Sequence, residues 1–157
     1  MRILRLHLQN VHALRNQWTI QFDQFPLYEA GLFAITGPTG GGKSSLLDAM
    51  IVALYGRVPR YGHNTPTELM TRHTAETLIE LDFAVQQGRF RARWNLRRAR
   101  GQATGRVQPA RHELQNLDTN QTLDLRSSDV PKEVEKLTGL NMERFLRSVI
   151  LPQGDFA

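Results

Sequence analysis

Leu32-Phe33-Ala34-Ile35-Thr36-Gly37-Pro38-Thr39-Gly40-Gly41-Gly42-Lys43-Ser44-Ser45-Leu46-Leu47 reads as an apolar strand, a glycine loop and the start of a helix. Residues 37–44 fit the pattern G-x-x-x-x-G-K-[ST] in full. Each residue type has a physical reason. Glycines accept positive φ and close backbone approach, so successive N–H groups can converge on an anion. Lys43 supplies a mobile point charge for the β- and γ-phosphates of a nucleotide, and Ser44 a hydroxyl for Mg²⁺. A helix starting here turns its positive dipole end toward the same place. Leu32 to Thr36 is apolar without alternation and predicts a strand buried on both faces. Ser44 to Tyr55 is apolar on more than one side and predicts a central helix, with Gly56 placed to cap it.

The flanks are organised differently. Leu4, Leu6 and Leu8 alternate with Arg5 and His7, and Trp18, Ile20 and Phe22 alternate with Gln17, Thr19 and Gln21. Both stretches predict half-buried strands of an antiparallel pair, with Trp18 at core phase. Residues 56–77 read as irregular loop. Ile79, Leu81, Phe83 and Val85, then Phe90, Ala92, Trp94 and Leu96, predict a hairpin turning at Gln87-Gly88. Residues 101–105 read as a mobile loop, 107–117 as a weaker strand, and Ser128–Leu137 and Asn141–Ile150 as helices. A P-loop hydrolase also needs an acid at the end of an apolar strand to organise Mg²⁺ and water. The one candidate run, Leu78-Ile79-Glu80-Leu81-Asp82, is interrupted by Glu80, so the chain carries half of a hydrolytic site.

The chain has 157 residues, 40% hydrophobic and 22% charged, which is a globular composition. It has no cysteine, which excludes disulfide frameworks, cysteine-based zinc and iron–sulfur sites and cysteine nucleophiles, and accords with a reducing cytosol. No apolar run reaches the roughly 18 residues of a membrane-spanning helix. The five histidines show no metal-ligand spacing. Net charge is +5, and of the 20 basic residues all but Lys43, Lys132 and Lys136 are arginine, the bidentate partner of phosphate.

Eight of these arginines lie between Gly88 and Arg111, with no Asp or Glu among them. Arg89, Arg91, Arg93 and Arg97 share one face of one strand. With a turn at Gln87-Gly88, Asp82 opposes Arg93 and Glu80 opposes Asn95, which leaves at least two of the four without a local acid. Three readings remain open: a solvated face, a surface that grips the phosphate backbone of DNA, or a contact for a protein partner.

With these residues in view, the chain resembles the N-terminal segment of the SbcC family, bacterial DNA-repair ATPases of the ABC/SMC class. The landmarks are Gly31 to Gly40 leading into Lys43-Ser44, then Leu47-Asp48-Ala49, Ala53-Leu54-Tyr55 and Leu69-Met70-Thr71-Arg72-His73-Thr74-Ala75-Glu76. Leu137-Thr138-Gly139-Leu140, Arg144-Phe145 and Gln153-Gly154 close the series. The resemblance implies that Gly37, Pro38, Thr39, Gly40, Gly41, Gly42, Lys43, Ser44 and Ser45 bind ATP and that Ser44 and Gln153 hold Mg²⁺. It implies catalytic roles for Lys43 and Gln153, with Asn10 and Arg15 as further nucleotide contacts. Gly41 stands where relatives commonly have alanine, which should only loosen the loop.

The expected fold is α/β, the N-terminal half of an ABC-type P-loop ATPase head over residues 1–157. Its parts are the P-loop unit at 32–55 in a mixed sheet around a central helix, an antiparallel β-subdomain at about 78–125, and helices with a glutamine loop at about 128–157. The resemblance further implies a coiled coil and a C-terminal lobe carrying the missing acid, a head dimer sandwiching ATP, an SbcD-type nuclease partner and double-stranded DNA. It also implies a place in the bacterial cytoplasm, at the nucleoid. From the residues alone, a complete small P-loop kinase or GTPase and a non-catalytic nucleic-acid-binding module remain alternatives.

Overall fold

A computed structural model describes residues 1–63 and 66–149. The N-terminal alternation forms β1 (Arg2–Val11) and β2 (Leu14–Gln21), paired antiparallel with Leu6 opposite Ile20 and Leu8 opposite Trp18. The second alternating region forms β3 (Glu76–Val85), β4 (Gly88–Arg97), β5 (Arg111–Asn116) and a two-residue β6 (Gln121–Thr122). All six strands make one sheet in the order β2-β1-β3-β4-β5-β6, each neighbouring pair antiparallel. The ribbon expected as a separate subdomain therefore shares a sheet with the N-terminal hairpin, through Leu6 opposite Leu81 and Leu8 opposite Ile79.

Helix α1 (Lys43–Tyr55) lies on one face of this sheet, chiefly over β3, β4 and β1. Every residue from Asp48 to Tyr55 is buried, and Leu6, Leu8, Ile79, Leu81, Phe83, Ala92, Trp94 and Leu114 meet it from the strands. At about 25 cal/mol per Å² of apolar surface removed from water, this layer supplies the main driving force of the fold. Gly56 ends the helix in the left-handed region (φ 70°), its N–H bonded to the Val52 carbonyl at 2.8 Å, as the sequence predicts. Helices α2 (Val130–Thr138) and α3 (Met142–Ser148) close the far end of α1. There the Tyr55 hydroxyl donates to the Leu140 carbonyl at 2.8 Å, and the Tyr55 ring meets that of Phe145 edge-on at 5.9 Å.

Several expectations change. The run Leu32–Thr36 forms no strand: Leu32 is 85% and Phe33 43% exposed, with the Phe33 ring stacked on Phe22 at 5.3 Å. An apolar run becomes a buried strand only beside a partner, and no described segment pairs with it. The sheet is accordingly antiparallel throughout rather than mixed. Trp18 sits on the surface at 52% exposure, because β2 is the edge strand and lies outside the main cover of α1; its indole N–H donates to the Arg15 carbonyl at 2.9 Å. The β3–β4 turn falls at Gln86-Gln87, so Phe83 opposes Phe90, Leu81 opposes Ala92 and Ile79 opposes Trp94. Finally, residues 101–105 belong to a stitched loop. Ala99 N–H bonds the Arg106 carbonyl and Gly105 N–H the Gln102 carbonyl, both at 2.8 Å, and a Cβ at 105 would collide with the Ala99 carbonyl oxygen.

His112 is buried in this core. One ring nitrogen, Nε2, donates to the Ala53 carbonyl at 2.7 Å, tying β5 to α1. Burial lowers its pKa from 6.5 to about 4, against the opposing pull of that carbonyl. The unfolded chain takes up a proton on this ring near pH 6.5 and the folded chain refuses it until about pH 4, so stability falls as pH drops through that window. At about 1.4 kcal/mol per pH unit, urea unfolding should show the wild type losing about 2 kcal/mol more than His112→Gln between pH 7 and 5.

Candidate nucleotide site

The loop before α1 has the backbone that its glycines predict. Gly40 and Gly42 have φ of 80° and 87°, and Gly41 N–H closes a turn on the Pro38 carbonyl at 3.0 Å. Gly42 is the N-cap of α1 in the left-handed region, and a Cβ there would press on Leu14 Cδ2 at 2.9 Å. The β1–β2 turn is thus seated directly on the loop. A Cβ at Gly41 would stand 3.0 Å from the Pro38 carbonyl oxygen, so glycine here relieves a contact as well as loosening the loop. Lys43 folds back across the loop, its Nζ donating to the carbonyls of Gly37 at 2.6 Å and Pro38 at 2.7 Å. The result is an open cleft of about 350 Å³. It is lined by Thr39, Gly40, Gly42, Lys43, Ser44 and Ser45, with Ala13 and Arg60 facing it from two other segments.

The donor set fits a polyphosphate: N–H groups at a helix start, one ammonium and the hydroxyls of Thr39, Ser44 and Ser45. It also fits Mg²⁺ held with little protein help. Among the described residues no cluster of three His, Cys, Asp or Glu could cage an ion, so a cation would rest on Ser44 and on phosphate oxygens.

The turn beside the loop is held by residues 69–76. His12 N–H bonds the Leu69 carbonyl at 2.7 Å, Thr71 N–H bonds the Asn10 carbonyl at 3.0 Å, and Thr71 Oγ1 donates to the His12 carbonyl at 2.7 Å. Asn10 spends its carboxamide on this architecture. Its oxygen accepts from Asn16 N–H at 2.9 Å and its nitrogen donates to the Glu76 carbonyl at 3.1 Å. Arg15 is exposed and donates to the Arg72 carbonyl at 3.0 Å, outside the lining of the cleft. The His12 ring bridges two elements: Nδ1 lies 2.9 Å from Ser45 Oγ and Nε2 2.9 Å from the Tyr61 hydroxyl. Sequence reasoning missed His12, Arg60 and Tyr61 as neighbours of the loop, because they come from a turn and an irregular segment with no spacing signal.

A family model described as "AAA domain" matches residues 5–157. The chain is 39% identical over its whole length to the SbcC subunit of the SbcCD nuclease from Pseudomonas aeruginosa, and 38% identical to its counterpart from Bacillus subtilis. It belongs to the AAA domain family and is of the SbcC type. The chain spans 14% of the length of each of those two curated relatives. At 29% identity it also matches a protein of Aquifex aeolicus named "Probable DNA double-strand break repair Rad50 ATPase", over 99% of this chain and 15% of that one. Among solved structures, the SMC head domain from Thermotoga maritima superposes with a TM-score of 0.53 at 17% identity, over 85% of this chain and 42% of that one. The recombination mediator RecF superposes at 0.54 and 15% identity, over 79% and 28%. These two likenesses place the SbcC-type chain in the α/β P-loop head fold.

Gln153, the second expected catalytic and metal-binding residue, lies outside the described residues. The arginine face is described, and it is not what the sequence suggests. With the turn at Gln86-Gln87, each of the four arginines has a carboxylate. Arg91 holds Asp82 in a fork at 2.6 and 2.9 Å, and Arg97 meets Glu76 at 3.0 Å. Arg89 meets Asp118 at 2.8 Å, and Arg93 lies 3.8 Å from Glu80, which also takes Arg5 at 3.2 Å. Each of the four arginines thus has an acid partner, with Glu80 shared between Arg93 and Arg5. Of these pairs Asp82–Arg91 and Glu80–Arg5 are the most buried. Arg91→Ala should destabilise the chain by about 2 kcal/mol, since it leaves the buried Asp82 carboxylate with only the longer contact to Arg5 at 3.9 Å, whereas Arg97→Ala should cost under about 1 kcal/mol. Chemical denaturation of both variants checks the contrast.

Proposed function

We propose that this SbcC-type chain is the ATP-binding lobe of a DNA-repair ATPase. The observation that carries the reading is the donor-lined cleft with Lys43 folded across it. Bound Mg-ATP supplies the phosphoanhydride bond whose cleavage drives the cycle. Residues 37–45 present backbone N–H groups to the triphosphate. Lys43 leaves its two carbonyl partners for the β- and γ-phosphates, and Ser44 gives its hydroxyl to Mg²⁺. Gln153 would serve the same ion and the attacking water, its amide oxygen able to ligate the ion and its N–H to donate to the water. Arg15 serves the nucleoside end once it lets go of the Arg72 carbonyl, and Asn10 acts there by holding the turn.

The rest of the site comes from a C-terminal lobe. The exposed apolar run at Leu32–Phe33 supports this, since an exposed apolar segment at the root of the loop calls for a neighbour. Two such heads then sandwich ATP, and their closure and release control an SbcD-type nuclease on ends and hairpins of double-stranded DNA, in the bacterial cytoplasm at the nucleoid. With Arg89, Arg91, Arg93 and Arg97 engaged by acids, contact with the DNA backbone passes to the neighbouring loop. Arg100 and Arg106 there, and Arg111 at the start of β5, are exposed and take no part in those ion pairs.

Lys43→Ala should abolish nucleotide binding, measured by titration with a fluorescent ATP analogue; unchanged affinity overturns the assignment. The chain alone should turn over ATP far below about 1 per second, a common enzyme rate, and gain activity on addition of the C-terminal lobe. Reversing Arg100 and Arg106 to Glu should flatten the salt dependence of DNA binding by about one unit of slope per lost phosphate contact, while reversing Arg97 should not.

A further inference from the structure

Arg60 is a charged group at the nucleotide cleft that no motif accounts for. It comes from the short 3₁₀ turn Pro59–Tyr61, and its side chain reaches the cleft wall beside Ser44 and Ser45. One nitrogen is held by Asp48, a buried carboxylate one helical turn beyond Ser44 on α1. Its guanidinium carbon lies 5.0 Å from the centre of the Tyr61 ring, and the Tyr61 hydroxyl is held by His12, whose other ring nitrogen reaches Ser45. A side chain with ordinary freedom is thus clamped from two sides, on the helix that opens the cleft. Yet it remains 48% exposed, and a guanidinium has five N–H groups, of which the structure commits one.

The charge balance of the cleft points the same way. A nucleoside triphosphate carries several negative charges, more than Lys43 and one divalent Mg²⁺ together answer. The fork of an arginine suits phosphate oxygens better than a second ammonium would.

We propose that Arg60 is the second phosphate-binding cation of this cleft, held in place by Asp48 on one side and by the Tyr61–His12–Ser45 chain on the other. Asp48 is then a positioning residue, and so is His12. The inference rests on the nucleotide reading of the cleft.

The test is titration with a fluorescent ATP analogue and Mg²⁺ at two ionic strengths, with thermal unfolding alongside. It uses the 157-residue chain and repeats the measurement in the presence of the C-terminal lobe. Arg60→Gln should bind about tenfold more weakly, the scale of one charge-assisted hydrogen bond, with a shallower salt dependence. Arg60→Lys should recover part of the loss. Asp48→Asn, which weakens the tether but keeps the cation, should cost affinity, but clearly less than Arg60→Gln does. Wild-type affinity in Arg60→Gln overturns the proposal. So does an Asp48→Asn loss equal to that of Arg60→Gln, because the ion pair is then only architectural. If Arg60→Gln unfolds early, the Asp48→Asn result decides alone. Lys43→Ala separates the two levels of inference. If it loses nucleotide while Arg60→Gln does not, only the role of Arg60 falls. If it keeps nucleotide, the cleft reading itself falls.

Discussion

The burial of α1 against the sheet is the constraint on which the rest depends. From Ala49 to Tyr55 the helix has no charged side chain and is covered on nearly every side. A helix of that kind has little freedom to rotate or slide, since either motion would carry apolar surface into water or open a void. Its N-terminus is therefore fixed in space, and the glycine loop inherits that position. Further ties come from around it: Gly42 against Leu14, the His112 ring on the Ala53 carbonyl, and the Tyr55 hydroxyl on Leu140. The chemistry at the loop is mobile and polar, but it stands on the least mobile part of the molecule.

Around that fixed point the cleft draws its walls from three separate segments. The loop and helix give N–H groups, Lys43 and three hydroxyls; the β1–β2 turn gives Ala13 and, behind it, His12; the 3₁₀ turn at 59–61 gives Arg60. Residues 69–72 run beside the β1–β2 turn and fasten it through backbone bonds to Asn10 and His12. A stretch that looks unremarkable as composition, Leu69-Met70-Thr71-Arg72, so sets the geometry of one wall without touching the cleft.

What can be read from the sequence follows the range of the interactions. The loop, α1, its Gly56 cap and the strands β1, β3 and β4 rest on local pattern and are found where the residues place them. Leu32–Thr36 is legible as apolar but not as unpaired, because pairing depends on a partner and hydropathy does not name one. Trp18 has the right alternation, yet an edge strand gives alternation nothing to pack against. Asn10 and Arg15 do lie near the loop in space, but their side chains are engaged by backbone groups that no one-dimensional pattern reveals. Arg60 and His12 are invisible in the sequence for the same reason, since they meet only after three segments have folded together.

The β3–β4 register has a further consequence. Sliding β4 by two residues against β3 returns every apolar side chain to the face it already occupies, so the two alignments present nearly the same core. The carboxylates distinguish them. In the observed frame Asp82, Glu80 and Glu76 stand opposite Arg91, Arg93 and Arg97. In the shifted frame only Asp82 would keep an arginine opposite it. The outer pairs contribute little to net stability, and of the three only the Asp82–Arg91 pair is buried, yet together they separate two frames that apolar burial leaves almost degenerate. The arginine-rich strand is thus a selector of alignment: it specifies which of two similar sheets the chain builds.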